Sequence, residues 1–480
     1  MIAEKEKRDF TQGRIFFKLI LFVLPIIATN LLQTLYNAAD MMIVSLSSER
    51  NAVGAIGTTS SFIHLIVHLF IGFSVGANVV VARAIGAKDE EKVRKTVHTA
   101  IIMSAIFGTI GGVIGIAVSR LVLTVMGNTG NLLELAVKYT CIYFAGVPFL
   151  AMTNYLIAIF RAKGDSKTPL VVLSAAGLLN VLLNLFFVMV VKLSVEGVAL
   201  ATSLANVASC IVLLWKLSRD RDDTAFSFKR LKIDKKAFAE IVYIGLPSGI
   251  QSALFSLSNI LIQSSIVTVN NKLCPSGADF EPIVTGSAAS ANIEAFVYTA
   301  MNSVAQGAIT LAGQNIGAGK PERVKRVLYN SYLLVLLIWL FTSGCVMIWK
   351  DPLLKLYGVK DGAAGSLDAL AMQAATTRIW YICVPYFLCG LMDCGTYVLR
   401  GLGKSFISMT ISLVGACLLR VVWLWTVFPF YQTLETIFIC YPITWTLTGI
   451  TAYFAVLAVL KKSIAQKQKE QAQEIKETQE

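Results

Sequence analysis

The chain has 480 residues, 56% of them hydrophobic and 15% charged, with a mean hydropathy of +0.68, against about 45–50% apolar and about 25% charged residues in soluble domains. This excludes a soluble globular protein, and at roughly 20 residues per spanning helix plus a comparable connector it leaves room for about twelve spans and no large extramembrane domain. The formal charge of +13 would suggest a nucleic-acid partner in a soluble chain, so its placement decides what it means.

In chain order, the N-terminal MIAEKEKRDFTQGRIFFK leads into an apolar stretch too long for a signal-peptide core and shows no small-residue cleavage pattern, so the first span is expected to be retained as an anchor. Uncharged runs long enough to span a bilayer follow at 51–82, 99–119, 139–160, 169–191, 197–215, 241–271, 327–349 and 436–460. Four more apolar runs, at 19–46, 282–315, 379–399 and 407–430, carry one charge each: Asp40, Glu294, Asp393 and Arg420. Twelve spans are therefore expected. With a cytoplasmic start, 32 of the 42 Lys and Arg fall on the cytoplasmic side and nine on the other, which predicts both termini in the cytoplasm and makes the basic excess topological. No nucleic-acid partner is expected.

The halves repeat. ARAIGAKDEEKVRK (82–95) faces GQNIGAGKPERVKR (313–326), Leu24-Pro25 faces Leu246-Pro247, and FRAKGDS (160–166) faces LRGLGKS (399–405), each of the last pair ending a span with Val-Pro. The outer loop NKLCPSGADFEP absorbs the change in offset. Six spans per half give parallel repeats, an architecture that places the substrate site between the halves and works by rocking one against the other. The expected divisions are an N-lobe at 1–215, a basic, solvated cytoplasmic linker at 216–237, a C-lobe at 238–460 and a disordered tail at 461–480. Gly72/Gly76, Gly108/Gly112 and Gly111/Gly115 read as close helix packing.

Taken together, LPIIATNLLQTLYNAADMMIVS, the paired Gly-Ala loops, FRAKGDSKTP with LRGLGKSF, and NVLLN followed by EGVALATSLAN resemble the multidrug and toxic compound extrusion (MATE) family, in its bacterial form, over roughly residues 15 to 460. The resemblance implies an all-α polytopic membrane protein with twelve helices in two six-helix lobes around a central cavity. It also implies export of cationic amphipathic compounds against an inward flow of sodium ions or protons, from the cell membrane.

A carboxylate inside a span costs about 2.5–3.5 kcal/mol on insertion scales, so Asp40 must face an interior or water. There it can take up and release a proton, or ligate a sodium ion with neighbouring oxygens, and the resemblance matches it to the N-lobe ion-coupling aspartate. Asn180 and Asn184 lie four apart on one helix face, and Thr202 and Asn154 can add oxygens from adjacent spans. In many relatives the position of Asn184 is a second aspartate, so this chain has one negative charge fewer. Protons are therefore the expected coupling ion.

In the second half, Glu294 can attract a cationic substrate, take up a proton or pair with Arg420; Asp393 is expected to pair with Arg400, seven residues on; and Arg420 must find an acid or several carbonyls. These three are the candidates for a substrate cavity or second coupling site. Other signals are weaker. Gly72-Phe-Ser-Val-Gly76 spells a hydrolase elbow without a preceding strand, His64 and His68 lack further metal ligands, and Gly403-Lys404-Ser405 lacks the leading glycine of a nucleotide cradle. The nine cysteines form no CxxC pair and read as small buried residues. Trp349, Tyr357, Trp380 and Tyr431 read as interface anchors. The expectation is a monomeric antiporter, not an enzyme, with no cofactor beyond transported H+ or Na+. A flippase for a lipid-linked precursor is the alternative; it would call for a more cationic cavity than three acids and one base provide.

Overall fold

The structure is a computed structural model and describes residues 9–45, 52–220, 222–274, 281–363 and 365–479. The basic residues of 1–8, the connector at 46–51, Arg221 in the linker and the centre of the outer loop at 275–280 lie outside the described residues.

Every element among the described residues is helical. The first half comprises α1 (Ile15–Ser45), α2 (Ala52–Gly86), α3 (Glu90–Val125), α4 (Gly130–Ala162), α5 (Lys167–Leu185, continued by a π-helical Phe186–Val190) and α6 (Val195–Ser218). The second comprises α7 (Lys235–Leu273), α8 (Pro282–Gly317), α9 (Pro321–Ile348), the short α10 (Lys350–Leu356), α11 (Leu367–Cys383) and α12 (Tyr386–Gly401). It ends with α13 (Ser405–Ser412), a π-helical Leu413–Leu418, α14 (Leu419–Thr426), the short α15 (Leu434–Phe438) and α16 (Cys440–Gln479).

Among the described residues ten helices are long and apolar enough to cross a membrane, or eleven when the bent pair α11 and α12 counts as one span. That is fewer than the twelve expected. The run at 282–315 does form a single helix, α8, of 36 residues. It is more than long enough at 1.5 Å per residue, but its many Ser, Ala, Gly, Asn and Thr residues dilute its apolar character.

Packing divides the chain into two compact units, residues 1–13, 21–253 and 313–318 in one and 14–20, 254–312 and 319–480 in the other. The division passes through α1, α7 and α8 and not through the linker. In the first unit α4 is the hub, packed by α2, α3 and α6. Close approach is set by glycine: a Cβ at Gly108 would meet Pro148 Cα at 2.8 Å, one at Gly112 the Phe144 carbonyl at 2.7 Å, and one at Gly115 the Phe144 ring. Gly72 and Gly76 lie against Gly249 and Gly245 of α7 in the same way, which ties the start of α7 into this unit and explains the Gly-x-Ser-x-Gly pattern as helix packing.

The repeated loops also meet inside this unit. Gly86 lies against the Gln314 carbonyl and Gly317 against the Arg83 carbonyl, so each half-repeat offers its glycine to the equivalent residue of the other. The Gln314 side chain closes the junction, its Nε2 donating to the Ala162 carbonyl (2.8 Å) and its Oε1 accepting the Phe10 N–H (3.2 Å).

The linker is docked, not simply solvated. Buried Lys163 pairs with Asp220 and Asp222, Phe226 is buried beside the His98 ring, the Ser227 N–H donates to His98 Nε2 (3.2 Å) and the Asp234 N–H to Thr99 Oγ1 (2.9 Å).

In the second unit α12 is the hub, packed by α9 and α16. The two Val-Pro dipeptides behave differently: Pro148 sits inside a continuous α4, whereas at Val384-Pro385 the chain leaves the helix and α11 and α12 meet at 45°. Proline lacks the N–H and crowds the preceding turn in both. The tail differs from expectation too, because α16 continues to Gln479. Its Ala, Lys, Glu and Gln are strong helix formers, no breaker follows Leu460, and Gln466 bonds Glu470 one turn on (2.9 Å).

Candidate functional site

The polar groups of the first unit converge where α1 meets α5. Tyr36, one turn before Asp40, fills the space beside Gly177, and its hydroxyl donates to the Ser174 carbonyl (3.2 Å). This contact sets the register that lets half-buried Asp40 reach α5. Asn184 Nδ2 donates to Asp40 Oδ1 (2.5 Å) and also approaches Asn180 Oδ1 (3.3 Å). Asn180 Nδ2 donates to Thr202 Oγ1 (3.3 Å), and the Thr202 hydroxyl donates to the Val198 carbonyl (3.0 Å). Asp40, Asn184, Asn180 and Thr202 thus form one continuous chain of hydrogen bonds across α1, α5 and α6.

Both asparagines are buried, and Asn184 Oδ1 has no hydrogen-bond partner among the described residues. An orphaned buried acceptor beside a carboxylate calls for an explanation, since such groups are normally satisfied. The α-helix of α5 gives way to π-helix two residues after Asn184, a local unwinding often found at functional sites. Asn154 does not join the chain: its Nδ2 donates to the Leu150 carbonyl of its own helix (3.0 Å). Tyr139 and Tyr143 of α4, which nothing in the sequence singles out, pack in the same apolar cluster as Ile43 and Val44 of α1.

The second unit arranges its charges otherwise. Glu294 of α8 pairs with Arg378 of α11, not with Arg420, through two parallel bonds, Nε to Oε1 (2.9 Å) and Nη2 to Oε2 (3.0 Å). The side chains are only 5% and 11% exposed, and the guanidinium also lies over the Phe438 ring. Arg378 lies one residue before the apolar run expected at 379–399, and a buried glutamate's demand for a cation was the signal that could have found it.

Arg420 finds no acid among the described residues. It lies 4.3 Å from the Tyr441 ring centroid and donates from Nε to Thr444 Oγ1 (3.4 Å), so a π face and a hydroxyl take the place of the expected carboxylate. Asp393 and Arg400 form no salt bridge. Asp393 Oδ2 accepts from Asn302 Nδ2 (2.8 Å), Asn302 Oδ1 accepts from Gln306 Nε2 (2.9 Å), and Arg400 stacks on Tyr397 at 4.5 Å. Seven residues along a helix is close to two turns, but α12 aims the two groups at different neighbours. In the same unit Tyr298, Tyr386 and Trp445 stack in succession, with Tyr441 edge-on to Trp445.

A hydrogen-bonded carboxylate and buried charges set in long apolar helices fit a multi-pass membrane transporter. Residues 25–186 and 247–426 match the MatE family model, and the chain belongs to that family. It is similar to the probable multidrug resistance protein YoeA of Bacillus subtilis, at 28% identity over 354 residues, 70% of this chain and 74% of that protein. Similarity to the multidrug export protein MepA of Staphylococcus aureus is 24% over 55% of this chain and 58% of that protein. Among solved structures, a MATE protein in complex with MaL6 superposes with a TM-score of 0.86 at 20% identity, covering 95% of this chain and 99% of that one. An outward-facing multidrug resistance MATE family transporter of the MOP superfamily gives 0.85 at 19%, covering 95% and 98%.

Proposed function

We propose that the protein is a secondary antiporter of the cell membrane that exports cationic amphipathic compounds in exchange for protons, with both termini cytoplasmic and Asp40 as the coupling group. The observation that carries this reading is the Asp40–Asn184–Asn180–Thr202 chain, in which the one carboxylate has only neutral partners. The names of the relatives, multidrug resistance and multidrug export, support the cargo class.

A side-chain amide suits a carboxyl that gains and loses a proton. Its N–H donates to the carboxylate, and after a flip its oxygen accepts from the carboxylic O–H. A flip of Asn184 and Asn180 together would also satisfy Asn184 Oδ1, with Asn180 Oδ1 then accepting from the Thr202 hydroxyl. Proton binding therefore rearranges the contact between α1 and α5, and exchange follows if the protonated and drug-bound forms favour opposite-facing states.

Sodium is the second reading, since after the same flip Asn184 Oδ1 and the Asp40 carboxylate would form an acceptor pair that a cation could bridge. Vesicles loaded with ethidium and driven separately by pH and sodium gradients distinguish the two. Wild type is expected to respond to pH, Asp40→Asn to lose gradient-driven transport, and Asn184→Asp to gain sodium dependence. An Asp40→Asn protein that inserts normally and still concentrates ethidium would refute the assignment.

A further inference from the structure

The linker between α6 and α7 is pinned at two points and free between them. The Ser227 N–H donates to His98 Nε2 and the Asp234 N–H to Thr99 Oγ1, so neighbouring residues of α3 hold both ends of the segment 228–233. Phe226, just before it, is buried. Every residue from Phe228 to Ile233 is exposed, which makes the segment an arch standing off the protein.

The arch is not composed like a solvated turn. It reads FKRLKI, with apolar Phe228, Leu231 and Ile233 interleaved with basic Lys229, Arg230 and Lys232. Phe228 is 74% exposed, its ring meeting Phe226 edge-on. No acid occurs from Thr224 to Ile233, and the three basic side chains form no salt bridge among the described residues. Elsewhere around the linker such charges are matched: Lys92 pairs with Glu240, Lys95 with Glu91 and Lys163 with Asp220.

The anchor points fix its depth. His98 and Thr99 lie where the charged first turns of α3, Glu90 to Lys95, give way to the uncharged run 99–119. The flanking α6 and α7 are both long and apolar enough to span. Trp215, one turn before the end of α6, is exposed with the Arg219 guanidinium 4.5 Å over its ring, an arrangement suited to a membrane interface. The arch therefore stands at the level of the lipid headgroups.

Apolar side chains and unmatched cations presented together at that depth suit a surface that is anionic outside and apolar beneath. A soluble polyanion would satisfy the three charges and leave Phe228, Leu231 and Ile233 in water. We propose that residues 228–233 are a docking site for anionic phospholipid headgroups of the leaflet in which the linker lies. The basic side chains meet the phosphodiesters and the apolar ones enter the acyl boundary. The site depends on neither the coupling ion nor the cargo.

The test places the full chain in phosphatidylcholine nanodiscs that carry a trace of phosphatidylglycerol or phosphatidylcholine with a photoactivatable group near the glycerol backbone. Labelled peptides are mapped by mass spectrometry. The anionic probe is expected to label 228–233 about tenfold more than the zwitterionic one. Lys229→Gln, Arg230→Gln and Lys232→Gln together should bring the two probes level, whereas Lys461→Gln with Lys462→Gln, which removes charge from α16 instead, should leave the ratio unchanged. Leu231→Ser with Ile233→Ser should lower labelling by both probes. Each ratio compares two lipids on one protein, and an unchanged melting temperature shows that the exposed substitutions leave the fold intact. Equal labelling by the two probes in wild type, or a preference that survives the triple variant, overturns the site. So does suppression of the anionic label by heparin where excess unlabelled phosphatidylglycerol has no effect, which would give the arch to a soluble polyanion.

Discussion

Asp40 and Glu294 are both acids within long apolar helices, yet the structure treats them in opposite ways. Asp40 is half-buried and accepts from the Asn184 amide, whereas Glu294 is buried against a guanidinium that matches both of its oxygens. A carboxylate with neutral partners can change its charge without leaving an uncompensated cation behind. One locked to arginine cannot, because its neutralisation strands the partner. The position of the charge in the sequence was alike for the two; what separates them is the neighbour that the fold supplies.

Two variants sharpen that contrast, beginning with the largest effect. Removing Arg378 alone leaves Glu294 buried and unpaired, so Arg378→Leu is expected to destabilise the protein by about 3–5 kcal/mol, read as a large fall in melting temperature in detergent. Replacing both partners, Glu294→Gln with Arg378→Leu, should recover much of that stability and retain gradient-driven ethidium transport. A double variant that folds but no longer couples would move Glu294 into the transport machinery and erase the distinction drawn above.

A smaller effect is expected at the junction of the repeated loops. Gly86→Val would force a side chain onto the Gln314 backbone, and overpacking of this kind costs typically about 1–3 kcal/mol. Gly344 has open space around it, so Gly344→Val should change the melting temperature far less. Equal effects would show that β-branching in a helix, not close approach, sets the cost.

The sequence made Asp40 legible because a lone charge in an apolar run must be accommodated, and it made Asn180 and Asn184 legible because a spacing of four places both on one face. Thr202 followed from the same depth on the next span. Asn154 met the same criteria, but an asparagine at mid-helix can satisfy its amide on its own preceding turn, and periodicity does not reveal that choice. Arg378 was hidden by a break: the helix that carries it begins at Leu367, includes polar residues such as Asp368 and Gln373, and bends at Val384-Pro385. Hydropathy averaged over such a helix places its first half outside the bilayer. The docked linker was hidden for a related reason, since two of its acids, Asp220 and Asp222, meet a lysine distant in sequence, Lys163.

The smallest effect expected lies where that linker hands over to α7. Asp234 Oδ1 accepts the Ala237 N–H at 2.9 Å, capping the helix start, and this bond, with Lys95 and Lys236 nearby, holds the carboxyl below its ordinary value. A group lowered in this way stabilises the folded form above its unfolded value of about 3.9, and the contribution is lost as pH falls through the folded value. Asp234→Ala is expected to cost about 0.5–2 kcal/mol as a lost cap, felt locally as faster hydrogen exchange at Ala237. Asp234→Asn keeps an acceptor but cannot titrate, so exchange at Ala237 should become independent of this proton in acid once the intrinsic pH effect is divided out. If wild type and Asp234→Asn instead share one acid profile, the linker is held by His98, Thr99 and Lys163 alone, and the start of α7 is not electrostatically tuned.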